Sequence, residues 1–296
     1  MGECCLVIAP AWVGDMVMTH PLFKTLKQQM PDGTIDVVAP PSTLSLIELM
    51  PEVRQGFVLD VGHGQLGLKS RRQLGHDLRA NAYTRCLVLP NSLKSVLLPW
   101  FAKIPQRTGW LGEQRYGLLN DWRRLEPGRY PTMVARFCAL AHQPGASLPT
   151  DLPPPRFEVT RDRALALCAE HAPNVSDGRP IVVLCPGAAY GPAKRWPAAS
   201  FAALAMLLHD AGAQVWLLGG PSECAITAAI QQQAKDVCVD WAGKTSLLDV
   251  ASLLAMADAV VTNDSGLMHM ACAISDLPVV ALYGSSSPNF TPPLSE

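Results

Sequence analysis

Three short segments gather residue types that can handle a charged substrate, and each follows an apolar run. The first is Ala9-Pro10-Ala11-Trp12-Val13-Gly14-Asp15. Gly14 permits an unusual turn or a close approach. Asp15 projects a carboxylate near a helix start, where it could accept a proton or serve only as an N-terminal helix acid. The second runs from Cys185 to Pro197 and holds Gly187, Gly191, Lys194 and Arg195. Small residues ending on two cations just before a helix suit an anion such as a diphosphate. The third is Thr262-Asn263-Asp264-Ser265-Gly266-Leu267-Met268-His269. Amides at a helix start could hold phosphate there, with Asp264 as N-cap or as acceptor for Lys194. His269, one turn in, reads more readily as structural than as catalytic.

Other chemistries lack their motifs. A GxGxxG match at Gly62, Gly64 and Gly67 follows the third predicted strand, and the next acid, Asp77, comes too soon. A dinucleotide fingerprint belongs after the first strand of its unit, with an acid about 20 residues on, so this stretch reads as a flexible loop. The chain has no P-loop, GxSxG elbow or HExxH, and no two Asp residues lie two apart, so a DxD-type metal pair is missing. No metal site is expected.

The elements that must carry the three segments alternate along the chain. Strands are predicted at Cys4–Ala9, Thr34–Ala39, Gly56–Val61 and Thr84–Leu89, with helices over Gly14–Gln29 and Ser92–Ala102. The segment Gln143–Phe157 contains five prolines and no apolar periodicity, which marks a semi-rigid linker and a domain boundary at 150/151. Beyond it strands are predicted at Ile181–Cys185, Gln214–Leu218, Ala259–Thr262 and Val279–Leu282, with a helix over Pro197–Ala211. Apolar strands separated by helices imply parallel pairing and βαβ units. The expected fold is therefore α/β, with two doubly wound domains, 1–150 and 151–296, facing a cleft across the carboxyl ends of their strands.

Composition narrows the class. Hydrophobic residues make up 49% and charged residues 17% of the 296-residue chain, enough to bury two cores. Mean hydropathy is +0.15, yet no window approaches the roughly 18 apolar residues of a membrane span. No Lys or Arg precedes the first apolar run, so a secretory signal is not expected. Nine cysteines without a CxxC pair read as reduced thiols of a cytosolic protein. Residues 1–150 carry a net +5 and residues 151–296 a net −6. Either the first half meets a large anionic partner, or two solvated surfaces differ by chance.

These segments carry a resemblance to a known family. The chain resembles the ADP-heptose-dependent lipopolysaccharide heptosyltransferases, inverting glycosyltransferases with the two-domain GT-B fold. The match includes Trp12-Val13-Gly14-Asp15, Asn91-Ser92-Leu93-Lys94-Ser95, Arg107-Thr108-Gly109-Trp110 and Arg115-Tyr116-Gly117. It continues through Pro186–Pro197, Asn263–His269, Tyr283–Pro288 and Phe290–Pro293. The forms at Trp12–Asp15 and Pro192–Trp196 lie nearer the family's type II members than its type I members.

The resemblance implies a donor, ADP-L-glycero-β-D-manno-heptose, and an acceptor, the first heptose of a heptosylated Kdo–lipid A at the inner membrane. It implies no required cofactor, no nucleic acid and no transmembrane segment, with a cytoplasmic location, peripheral at the inner membrane. Carried over by position, Asp15 is the general base, and Lys194 is catalytic through the charge on the leaving diphosphate. Gly187, Lys194, Glu223, Asp264, Ser265, Gly266, Leu267 and His269 bind the donor, with Glu223 on the ribose, while Lys94, Arg107 and Arg115 bind the acceptor. The first domain would be the acceptor domain and the second the donor domain. Family members continue past Glu296, so the second domain is expected to be incomplete, with an apolar face uncovered after Val279–Leu282. Type I heptosyltransferase activity, another GT-B nucleotide-sugar enzyme, and an inactive nucleotide-binding protein are the alternatives.

Overall fold

The computed structural model describes residues 2–62, 64–171, 178–189 and 192–295, and the counts below refer to these. His63, Tyr190, Gly191 and Glu296, named or spanned by the sequence motifs, lie outside them. The chain forms two compact units: residues up to Pro155 together with Asn289–Thr291, and Arg156–Pro288 together with the residues from Pro292 onward.

In the first unit six strands, β1 (Cys4–Ile8), β2 (Thr34–Ala39), β3 (Gln55–Val58), β4 (Arg85–Val88), β5 (Gln106–Trp110) and β6 (Asp121–Arg123), form a sheet in the order β3-β2-β1-β4-β5-β6. All pairings are parallel. Helices α1 (Val13–Gln29), α2 (Pro41–Leu44), α3 (Leu68–Asp77), α4 (Leu93–Phe101) and α5 (Met133–Ala139) complete the unit. Leu6 and Ile8 of β1, Val38 of β2 and Val88 of β4 pack with Val96 and Leu98 of α4, all buried. That is why the central strands read as unbroken apolar runs.

The second unit repeats the design. Strands β7 (Ile181–Cys185), β8 (Gln214–Leu217), β9 (Cys238–Asp240), β10 (Ala259–Asn263) and β11 (Val279–Leu282) pair in parallel in the order β11-β10-β7-β8-β9. Its helices are α6 (Asp162–His171), α7 (Ala198–Asp210), α8 (Cys224–Gln233), α9 (Leu247–Leu254) and α10 (Gly266–Cys272). Val182, Leu184, Val215 and Leu217 meet Phe201 and Ala205 of α7 and Ile230 of α8 in its core. Val280 of the outermost strand β11 is exposed.

In each unit the first strand lies inside the sheet, with its successor on one side and a later strand on the other. The chain therefore reverses direction across the sheet between β1 and β4, and again between β7 and β10. Such switch points leave a crevice at the carboxyl ends of the strands. The expected α/β class with two doubly wound domains is what forms. Strands β5, β6 and β9 were not among the predicted ones. The GxGxxG stretch follows β3, as expected, but Gly67 adopts a left-handed conformation (φ 56°) and opens α3. It is a helix-initiating turn at the sheet edge.

Candidate active site

In the first unit the switch point is a pocket of about 750 Å³, within the usual range for small-molecule sites of roughly 300–1,000 Å³. Ile8 and Ala9 at the end of β1, Val38 at the end of β2 and Leu89 after β4 form its floor. Asp15 lines it from the first turn of α1. Two effects compete on this carboxylate. A helix N-terminus favours its ionised form, whereas burial disfavours it. Burial wins, and the pKa of Asp15 is raised above the ordinary carboxylate value. A carboxylate of raised pKa at the head of a pocket suits proton abstraction from a substrate hydroxyl.

The cations around the pocket differ from those expected. Lys94 lines it. The other two cations expected at the acceptor site, Arg107 and Arg115, are not among the described residues that line the pocket. Arg107 turns its guanidinium to the carbonyls of Leu118 (2.6 Å) and Ile104 (2.5 Å). Arg115 has no solvent exposure and donates to backbone and side-chain oxygens behind the pocket wall. Among the described residues the lining Lys and Arg besides Lys94 are Arg71 and Arg136. Arg71 is buried and donates through Nε to Leu66 O at 2.8 Å, and its burial lowers its pKa. Arg136 lies over the ring of Phe290 at 4.5 Å and donates through Nε to Tyr130 O at 3.1 Å. A motif-based reading missed both. The one available signal for Arg71 was its place just after a glycine turn that opens a helix.

In the second unit the chemistry also collects at strand ends. Lys194 Nζ lies 2.7 Å from Asp264 Oδ2. Burial opposes ionisation of Asp264, but the hydrogen bond and charge of Lys194, with help from Ser286, outweigh it and hold its pKa below the ordinary value. An ammonium has three N–H donors, so this pairing leaves two for an anion. Asp264 is thus the acceptor for Lys194, while the N-cap of α10 is Ser265, which makes no side-chain capping bond. Gly266 and Leu267 begin this helix, and His269 is buried within it. Burial drives the pKa of His269 down to about 4 despite the opposing charge of Asp264. It is neutral at physiological pH, so Lys194 rather than His269 supplies the charge.

Two contacts shape this loop region. Asn263, fully buried at the end of β10, donates from Nδ2 to Pro186 O at 2.8 Å and accepts from Trp196 N–H at 3.0 Å. It clasps both ends of the segment that carries Lys194, a role the sequence reading did not assign. Glu223 accepts from Gly220 N–H at 2.6 Å, and its carboxylate lies against Gly187. A Cβ on Gly187 would stand 1.7 Å from Glu223 Oε1. Any side chain at position 187 would have to displace the Glu223 carboxylate.

The model of glycosyltransferase family 9 (heptosyltransferase) matches residues 71–296. The chain is 47% identical to lipopolysaccharide heptosyltransferase 2 of Salmonella typhimurium, across 98% of this chain and 85% of that protein. The chain belongs to the heptosyltransferase family. It is also 45% identical to lipooligosaccharide heptosyltransferase 2 of Haemophilus influenzae, across 98% of this chain and 86% of that protein. The solved structure of Escherichia coli ADP-heptose lipopolysaccharide heptosyltransferase II superposes with a TM-score of 0.91 at 44% identity, across 99% of this chain and 88% of that one. This heptosyltransferase is therefore a glycosyltransferase of the GT-B type.

Two variants test the second-unit geometry. Lys194→Ala removes the charge-assisted donor and leaves the buried Asp264 carboxylate without its cation. ADP affinity is expected to fall by about 1.5–3 kcal/mol, the cost of a lost hydrogen bond to a charged group. Calorimetry giving unchanged ADP affinity removes Lys194 from the site. Gly187→Ala should instead push the flexible Glu223 side chain away from Gly220. The expected result is weaker ADP binding with a melting temperature close to that of the parent. A large drop in melting temperature would mean that the contact is structural only.

Proposed function

We propose that this heptosyltransferase transfers L-glycero-D-manno-heptose from ADP-L-glycero-β-D-manno-heptose to the first heptose of the lipopolysaccharide inner core, with inversion at the anomeric carbon. The near full-length likeness to lipopolysaccharide heptosyltransferase 2 carries the reading. The acceptor hydroxyl attacks the anomeric carbon, the bond from that carbon to the diphosphate oxygen breaks, and ADP departs. Asp15 takes the hydroxyl proton. Lys194, with the Asp264–His269 segment, stabilises the charge that grows on the leaving diphosphate. Glu223 is proposed for the ribose hydroxyls, as an ionised carboxylate is an acceptor only, and Gly187 keeps the loop close to it.

The first unit is then the acceptor domain and the second the donor domain. Pocket cations Lys94, Arg71 and Arg136 support this division, because Kdo and phosphorylated lipid A are anionic. Lys94 is the acceptor contact retained from the expected set, with Arg71 and Arg136 taking the places of Arg107 and Arg115. The nucleotide-sugar donor and lipid-linked acceptor fit a reaction at the cytoplasmic face of the inner membrane. No helix among the described residues is long and apolar enough to cross a membrane.

The deciding assay supplies ADP-heptose and heptosylated Kdo–lipid A and follows the product by mass spectrometry. Transfer to the first heptose supports the reading. Epimerisation, use of another donor, or ADP binding without transfer overturns it.

Two predictions concern Asp15. Asp15→Asn should reduce turnover by about 10²–10⁴-fold, the usual contribution of a general base, while ADP affinity stays within a few-fold. Near-native turnover would remove Asp15 from the proton transfer. The second concerns pH. A base works ionised, and its raised pKa means that protonation begins at higher pH than the ordinary Asp value of about 3.9. Activity should therefore fall on acidification through a limb above that value, and the residual activity of Asp15→Asn should lack this limb. A parent enzyme whose activity holds down to the ordinary carboxylate range contradicts the assignment.

A further inference from the structure

Arg115 is a fully buried arginine whose hydrogen-bond partners share one property. Nη1 donates to Pro90 O at 2.7 Å and to Ser95 Oγ at 3.1 Å. Nη2 donates to Trp110 O and reaches Asn91 Oδ1 at 3.5 Å. Pro90, Asn91, Ser95 and Trp110 all line the first-unit pocket, and Arg115 does not. The guanidinium stands behind the wall and holds it from the back. Its partners are carbonyls and a hydroxyl rather than carboxylates. Burial lowers its pKa to about 10, with the charge of Glu113 opposing, so it remains a cation at neutral pH.

A smaller or simpler donor could not do this. The carbonyl of Pro90, just beyond β4, and that of Trp110, at the last position of β5, lie where the sheet ladder gives out and need partners. The rigid fork of arginine serves two loops at once, Nη1 reaching the β4–α4 turn and Nη2 the end of β5, whereas a lysine ammonium is a point donor on a flexible stem. Between the tied residues Asn91 and Ser95 sits Lys94, the cation of the wall. At the helix start Leu93 N–H also donates to Glu113 Oε2 at 2.6 Å, so α4 is fixed from a second side.

We infer that Arg115 is a positioning residue for acceptor recognition. It sets the Asn91–Lys94 wall without touching substrate, and it rests on the reading of this pocket as the acceptor site. Arg115→Lys keeps the charge and loses the fork; Ser95→Ala removes one of its partners, together with the Ser95 hydroxyl's own bonds to Pro90 O and Ser92 O, and leaves the guanidinium in place. In steady-state kinetics on the full chain, Arg115→Lys should raise the acceptor KM about tenfold or more. The KM for ADP-heptose, and ADP affinity by calorimetry, should stay within about twofold. Ser95→Ala should move the acceptor KM in the same direction by a smaller factor. Hydrogen exchange should quicken at the amides of residues 91–96 in Arg115→Lys and stay unchanged in the second unit.

An acceptor KM equal to that of the parent in both variants overturns the inference. So does a rise in both KM values together with general loss of exchange protection, the mark of a purely structural role. If Arg115→Lys does not fold, Ser95→Ala alone decides through the same split of KM values. If the parent shows no transfer at all, the functional reading fails separately, and unchanged exchange at residues 91–96 would then overturn the positioning role as well.

Discussion

Every strand pairing in both sheets is parallel, so no neighbouring pair can be joined by a tight turn and each strand must hand over to a crossover before the next begins. That constraint places the departing loops of all strands at one end of each sheet. It also requires cover on both faces, which is why β1, β4 and β7 are almost wholly apolar and carry no functional side chain. Chemistry is left to the loops and to the first turns of the helices that follow them. Asp15 follows β1, Lys94 follows β4, Lys194 follows β7, Glu223 follows β8 and Asp264 follows β10. The same constraint explains why Asn263 matters. A loop that leaves a parallel strand has lost its ladder partners, and a buried amide with both a donor and an acceptor can replace them on two segments at once.

Asp15 and Asp264 show how one residue type takes opposite character from its surroundings. Both are partly removed from water, and burial alone would raise both pKa values. Asp15 has no resolved compensating charge and stays raised. Asp264 meets Lys194 at 2.7 Å and is lowered. The first environment favours a group that accepts a proton; the second favours a permanent anion that orients a cation. Environments that push like groups apart in this way commonly separate a base from an electrostatic partner.

Much of the fold was legible because buried parallel strands write themselves as short β-branched runs. Thr34–Ala39, Ile181–Cys185 and Val279–Leu282 fall where the periodicity set them, and the other predicted strands fall close by. Strands β5, β6 and β9 escaped notice for physical reasons. β5 reads Gln-Arg-Thr-Gly-Trp, with a glycine and a charge inside it, while β6 and β9 are only three residues long. At the site, residue type was legible but direction was not. The expected Lys194–Asp264 contact forms. The resemblance implied acceptor contacts for Arg107 and Arg115, yet both guanidiniums turn to backbone carbonyls of neighbouring loops. Burial of a guanidinium is decided by unsatisfied acceptors around it, and those depend on the tertiary fold.

The glycine stretch at Gly62–Gly67 carries the same lesson in reverse. As a dinucleotide fingerprint it fails, because a fingerprint works at the first strand, where the switch point lies, and this one follows β3 at the edge. An edge loop can still reach the crevice if its backbone bends back over the strand ends. Gly64 and Gly67 hold positive φ values of 80° and 56°, conformations that L side chains rarely adopt. Gly62, Gly64 and Leu66 line the pocket together with Arg71, one turn into α3. Glycines here shape a pocket wall and deliver a cation to it. A pattern discounted for phosphate cradling thus acts through the backbone freedom that makes glycine useful in such cradles. What separates the two outcomes is the strand it follows.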